Sequence, residues 1–233
     1  MTTHQQTHTH NTPAWSPKPQ GPRWSQHVAR ALTTTLWSVQ RHGTENVPST
    51  GPVILACNHI GFIDGPLLLG AAPRPAHFLV KGTFFEGPIA PIMRAAGQIP
   101  VTPGKGRYAL DAAQQVLNDN RVIGIFPEGR RGKGDLTKIH PGVSWLACHT
   151  QAPVIPVTIL GTRTTGAKVS SLPRIRSRII VDFSQPLHME STDTSRRTIT
   201  QVTERIREAM STHVQHVQNQ YRIALPTDDP GSP

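Results

Sequence analysis

His59 and Asp64 stand four intervening residues apart in the run Asn58-His59-Ile60-Gly61-Phe62-Ile63-Asp64-Gly65. A carboxylate that accepts the Nδ1 proton of an imidazole fixes its tautomer and supports the imidazolium formed on proton abstraction. Such a pair works as a general base without a covalent nucleophile and contributes roughly 10²–10⁴ in rate. Asn58, Gly61 and Gly65 are turn residues, so the pair is expected in a loop rather than a core. Cys57 adjoins the motif, but it closes an apolar run, which disfavours it as a nucleophile. A second chemically equipped stretch is 126–134, FPEGRRGKG. Its glycines let backbone approach a ligand, and Arg130, Arg131 and Lys133 suit a phosphate. The natural substrate for a base at His59 is then a hydroxyl on a phosphate-bearing molecule. A metal at His59 and Asp64 lacks a third nearby ligand unless the fold brings His77 or His140 close, and no metal is expected.

Both stretches follow apolar runs that read as buried strands, Val53 to Ala56 and Val122 to Phe126. Further strands are expected at His77–Val80, at 97–101, at Val154–Ile159 and at 174–183. Helices are expected from Pro66, over Tyr108–Leu117, from Pro141 and over 195–218, with a broken apolar helical segment at 84–96. Alternation at this spacing predicts an α/β fold: a mixed, largely parallel sheet flanked by helices. Ligands in such sheets gather at the carboxyl ends of strands, where both stretches fall. Period two across 174–183 would set Arg174, Arg176 and Arg178 on one face. That face would serve as an anion- or membrane-facing surface or as a charged edge strand.

Ahead of this unit, residues 23–42 read as an N-terminal amphipathic helix, with Trp24, Val28, Leu32, Leu36 and Val39 at helical spacing. Its stripe would lie in a membrane interface, with Trp24 and Trp37 at headgroup level, or pack on the domain's own core. Residues 1–22, rich in Thr, Gln, His and Pro, read as a disordered tail, and 223–233 as a flexible one. The boundaries are therefore 1–22, 23–42, a domain at 43–222 with its motif core at 51–162, and 223–233.

Lys and Arg outnumber Asp and Glu by 24 to 14, a net charge of +10. That surplus predicts an anionic partner: nucleic acid, a lipid surface or a phosphorylated small molecule. Aromatics are 5% of residues and are not interleaved with the basic ones, so nucleic acid is set aside. Two cysteines without ligand spacing fit a reducing compartment. No stretch approaches the ~20 apolar residues that span a bilayer, and residues 1–22 hold no apolar signal segment. A membrane partner would be met from its surface.

NHIGFID is similar to the NHxxxxD signature of the glycerolipid acyltransferases, the 1-acylglycerol-3-phosphate (lysophosphatidate) acyltransferase group. Three further blocks agree in order: GQIPV at 97–101, FPEGRR at 126–131 and VIPV at 154–157. Together they cover about half the chain. The resemblance implies acyl transfer from a thioester, acyl-CoA or acyl-carrier protein, to the free hydroxyl of a lysophospholipid, first of all 1-acyl-glycerol-3-phosphate giving phosphatidate. It needs no cofactor beyond that co-substrate. It implies His59 as base, Asp64 as its orienter, and Glu128, Gly129 and Arg131 at the acceptor phosphate, with Glu128 orienting the loop's donors. The chain departs from the family twice. Thr102-Pro103 follows the second block where an Arg is common, and Arg130 replaces the usual Thr. Lys81, Lys105 and Arg107 are candidates to supply the phosphate contact instead, and the added cation at Arg130 would offset the missing one. A glycolipid or larger-headgroup acceptor, or a silent lipid-binding role on the same fold, stays open beside lysophosphatidate. The implied location is cytoplasmic, on the inner face of the cell membrane.

Overall fold

Strand β2 (Val53–Cys57) is fully buried at every residue, which explains its unbroken apolar run: it lies at the centre of the sheet, covered on both faces. The computed structural model describes residues 17–189 and 193–228. In chain order these form α1 (Gly21–Leu36), β1 (Ser38–His42), β2, α2 (Asp64–Ala71), β3 (Ala76–Lys81), α3 (Ala90–Ala95) and β4 (Ile99–Val101). There follow α4 (Gly106–Asn118), β5 (Val122–Ile125), α5 (Gly142–Thr150), β6 (Val154–Leu160), β7 (Arg178–Phe183) and α6 (Arg196–Tyr221). Among the described residues the sheet has seven strands in the order β1-β7-β6-β2-β5-β3-β4. Strands β6, β2, β5, β3 and β4 are mutually parallel, while β7 runs antiparallel to β6 and pairs parallel with β1. The fold is thus α/β with a mixed, largely parallel sheet.

Period two splits the strand residues between two cores. Ile54, Ile123 and Val154 pack with α4, α5 and α6, whereas Leu55, Val122 and Ile155 pack with α2. The parallel strands align their carboxyl ends on one sheet edge. The loops after β2, β5, β3, β4 and β6 therefore open on the same side.

Several elements differ from expectation. The first helix starts at Gly21, not 23, and stops at Leu36 rather than 42. Thr33, Thr34 and Thr35 turn their hydroxyls back onto the carbonyls of Ala29, Arg30 and Ala31, a local competition that weakens a helix end. Trp37 is extended and buried, its indole donating to the Pro173 carbonyl, so it does not stand at a headgroup level. Ser38–His42 then joins the sheet as an edge strand, which places β1 inside the domain expected to begin at 43. The tail expected to reach 22 is ordered from Pro17, whose carbonyl accepts from Arg121; residues 1–16 lie outside the described residues. At the other end Leu225 packs on the core and Asp228 binds Arg163, so 223–228 is docked. The strand expected from 174 starts at Arg178. Arg174 and Arg176 lie in the turn before it, and β7 is an inner strand, so the three arginines do not share a strand face.

Helix α1 turns its polar and small side out of water. Gln26 and Arg30 donate to the Ala72 carbonyl, and Arg30 also to that of Gly70, covering the open carbonyls at the end of α2. A Cβ on Gly70 would come within 2.8 Å of the Arg30 nitrogen, so glycine is what permits this close approach. As a result Trp24, Val28 and Leu32 face outward, with Val28 and Leu32 more than half exposed.

Candidate active site

The chain leaves β2 through Asn58, whose side-chain amide donates to the Ile159 carbonyl and whose carbonyl accepts from the Ile159 amide. That two-way bond to β6 fixes the exit of the strand. The next residues wrap a turn whose far end is the first residue of α2, Asp64. Asp64 is fully buried. Its Oδ2 lies 2.9 Å from His59 Nδ1 and also accepts the amides of Ile60 and Gly61 at 2.7 and 2.8 Å. Its Oδ1 accepts the Thr162 hydroxyl at 2.6 Å. Two backbone amides and a hydroxyl already donate to this carboxylate, so its remaining place beside the ring suits a proton donated by His59 Nδ1. In the neutral ring with this tautomer Nε2 is the unprotonated nitrogen, and the side chain keeps 18% of its surface exposed. The ring stacks on Phe126 at 4.2 Å between centroids, so its plane is held as well as its tautomer.

Residues 126–141 carry no helix or strand, yet they are tied down throughout. The Glu128 carboxylate accepts the His59 backbone amide at 2.8 Å, and Gly132 donates to the His59 carbonyl at 2.9 Å. Leu136 is fully buried beneath the loop. Gly134 has φ +72°, and a Cβ there would come within 2.3 Å of Ile60 Cγ2, so the loop lies directly on the His59 turn. Arg163, itself buried, donates to the carbonyls of Ile60 and Gly132 and pairs with Asp228 at 2.9 Å, joining both loops to the C-terminal segment.

The loop forms an open cavity of about 550 Å³ lined by Glu128, Gly129, Arg130, Lys133, Lys138 and His140, among others. Its cations suit a phosphate. Arg131 is not in that lining: its guanidinium lies 5.5 Å over the Phe62 ring and donates to the Val169 carbonyl. The two neighbouring arginines thus divide, Arg130 to the cavity and Arg131 toward the His59 turn. Lys81 ends β3 and Lys105 precedes α4; both are exposed, on the correct sheet edge, and outside the cavity lining. Arg107 pairs with Asp111 and lies over Trp145, away from the loop. Thr162, Arg163, Lys138 and the place of His140 in the cavity were not expected from spacing. Their partners are brought by the fold from distant segments, and only their residue types hint at them. Cys57 is fully buried, and burial, with Asp64 and Glu128 adding negative charge nearby, pushes its thiol well above the ordinary range.

Fold and site together define an α/β protein with a hydrogen-bonded His59–Asp64 pair at the carboxyl edge of its sheet. The Acyltransferase family matches residues 38–160, more than half of the chain, and the chain belongs to that family. It is similar to the 1-acyl-sn-glycerol-3-phosphate acyltransferase of Bacillus subtilis, 23% identical over 169 residues that cover 71% of this chain and 82% of the relative. The enzyme of the same description from Borreliella burgdorferi is 33% identical over 125 residues, 52% of this chain and half the length of that relative. In fold the chain resembles the crystal structure of the 1-acyl-sn-glycerophosphate acyltransferase PlsC from Thermotoga maritima. The TM-score is 0.66 at 22% identity, covering 84% of this chain and 79% of that one.

Proposed function

We propose that the protein transfers a fatty acyl group from an acyl thioester, acyl-CoA or acyl-carrier protein, to the free hydroxyl of 1-acyl-glycerol-3-phosphate, giving phosphatidate for phospholipid synthesis. The observation that carries this reading is the single hydrogen-bonded unit joining His59, Asp64 and the cationic loop at 126–140. Nε2 of His59 takes the hydroxyl proton as the oxygen attacks the thioester carbonyl. The ester C–O bond forms, the C–S bond breaks, and the proton passes from the imidazolium to the departing thiolate. Asp64 stays ionised and stabilises the imidazolium between the two proton transfers. No acyl-enzyme is needed, in keeping with the inert environment of Cys57.

The acceptor's phosphate is assigned to the cavity. Arg130, Lys133 and Lys138 there offset the cation missing at Thr102-Pro103, with Lys81 and Lys105 available along the same edge. The names borne by the Bacillus and Borreliella relatives support lysophosphatidate over a glycolipid or a larger headgroup. Among the described residues no helix is long and apolar enough to cross a membrane. The outward stripe of Trp24, Val28 and Leu32 supports contact with the inner face of the membrane instead, where the lipid acceptor partitions.

The test is release of free thiol from acyl-CoA with 1-acyl-glycerol-3-phosphate, against 1-acylglycerol lacking the phosphate. His59→Ala is expected to lower kcat by roughly 10²–10⁴ with its fold retained. Parental activity in that variant would rule out the mechanism. Equal KM values for the two acceptors would rule out the phosphate assignment.

A further inference from the structure

The segment between β6 and β7, residues 164–177, takes no part in the chemistry above. It holds the two most exposed aliphatic side chains among the described residues, Ile175 at 72% and Leu172 at 62%. Around them stand Lys168, Arg174 and Arg176, all exposed, and the segment contains no Asp or Glu. Apolar side chains left in water at this level beside unopposed cations are unfavourable unless something covers them.

The segment is not a stray loop, because its frame is stitched to the site. Arg163 donates to the Ala167 carbonyl at 3.2 Å and Arg131 to that of Val169 at 3.4 Å. These are the same arginines that reach the Ile60 carbonyl and the Phe62 ring in the His59 turn. At its other end the Arg176 backbone amide donates to the Leu36 carbonyl at 2.7 Å, and the Trp37 indole to that of Pro173. Since β6 is parallel to β2, the segment leaves the sheet on the edge where His59 stands.

We infer that residues 164–177 form an interfacial loop that docks on anionic phospholipid, inserting Leu172 and Ile175 while Lys168, Arg174 and Arg176 meet the lipid phosphates. The inference rests on the lipid-acyltransferase reading above and adds to it a contact that sets the mouth of the site against the bilayer. Charge complementarity selects this occupant: the cytoplasmic leaflet carries a negative surface potential from its anionic phospholipids, and cations near such a surface each strengthen binding roughly fivefold, about 1 kcal/mol. The aliphatic pair selects a bilayer over a purely polar acidic partner, because long Arg side chains keep their charge at headgroup level while neighbouring apolar groups enter the acyl boundary. The outward face of α1 is a separate element. It carries the helix contact proposed above, and the loop contact does not depend on it.

The experiment is co-sedimentation of the full chain with mixed phosphatidylglycerol–phosphatidylcholine vesicles and with pure phosphatidylcholine vesicles. Arg174→Glu/Arg176→Glu and Leu172→Asp/Ile175→Asp are compared with the parent. Each double variant is expected to lose about twentyfold or more in partition coefficient on the anionic vesicles. The arginine variant should also lose most of the difference between the two lipids. Turnover of a short-chain, water-soluble lysophosphatidate serves as the fold control and should match the parent in both variants. Partitioning equal to the parent's overturns the inference, as does loss of binding to a purified acidic acyl-carrier protein with vesicle binding unchanged. If the parent shows loop-dependent vesicle binding but releases no thiol with any acceptor, the proposed function falls and the interfacial loop stands.

Discussion

An ordinary histidine is fixed in place here by what surrounds one carboxylate. Asp64 accepts from His59, Ile60 and Gly61 on Oδ2 and from Thr162 on Oδ1, so both oxygens are held and the carboxylate has no freedom to turn away from the ring. Two of those donors are backbone amides of the same turn, which makes the geometry a property of the loop rather than of side-chain chance. Phe126 holds the opposite constraint, the plane of the imidazole. Cys57, one residue before Asn58, is the nearest alternative nucleophile. Its thiol is raised by burial and by two nearby carboxylates, so almost no thiolate exists at neutral pH. Cys57→Ala should therefore keep the parent's thiol-release rate and cost about 1–2 kcal/mol of stability for the atoms removed from the core. Both are read by steady-state assay and urea unfolding. An inactive but stably folded variant would mean that a covalent intermediate had been overlooked.

At the scale of elements, the decisive piece is the 126–141 loop, longer than a connection of this kind needs to be. Gly134 is where it meets the His59 turn. An alanine there would adopt φ +72° and drive its Cβ into Ile60. Gly134→Ala is expected to cost roughly 1–3 kcal/mol in urea unfolding and to raise KM for the phosphate-bearing acceptor more than it lowers kcat. Parental stability together with parental KM would show that the contact is not what positions the loop. This region also marks how far the sequence alone could be read. Strands β2 and β5 were legible because each is a short apolar run closed by turn residues, and their following loops come with them. His59 and Asp64 were legible because the turn that joins them is local. Thr162 and Arg163 were not, since they meet Asp64 and Ile60 across 98 and 103 residues. The strand β1 was missed for a related reason. Ser38, Gln40 and Arg41 give it no apolar signature, and its pairing with β7 is non-local. The outward stripe of α1 was visible in the periodicity. Its direction was not, because a helix can be anchored by polar bonds to another helix's end as well as by apolar packing.

Across the whole molecule the sheet edge away from His59 holds the N-terminal segment. On the edge away from His59, His77 near the start of β3 is buried, with Nδ1 2.7 Å from the Gly97 carbonyl and Nε2 3.0 Å from an Arg121 nitrogen. That pattern fits one neutral tautomer: Nδ1–H donates to Gly97, and Nε2 accepts from Arg121. Arg121 in turn holds the Pro17 carbonyl and Asp119, so the imidazole underlies the docking of the N-terminal segment. Burial lowers the His77 pKa from 6.5 to about 4; the Arg121 charge adds to that, against the opposing Gly97 bond and the Asp119 charge. The sign of the consequence follows from which state takes up the proton first. An unfolded chain protonates this histidine below about pH 6.5, and the folded one only near pH 4, so acid in that interval favours unfolding. Stability should be fully present above pH 6.5 and fall by on the order of 3 kcal/mol as pH drops to 4, with no further contribution from His77 below that. Urea unfolding of the parent and of His77→Gln across pH 7 to 4 isolates this effect from the carboxylates, because only the difference between the two curves belongs to His77. The variant's curve should be flatter over the interval. Parallel curves would show that the imidazole is not the group that links folding to the proton, and that the acid response of the N-terminal anchor lies elsewhere.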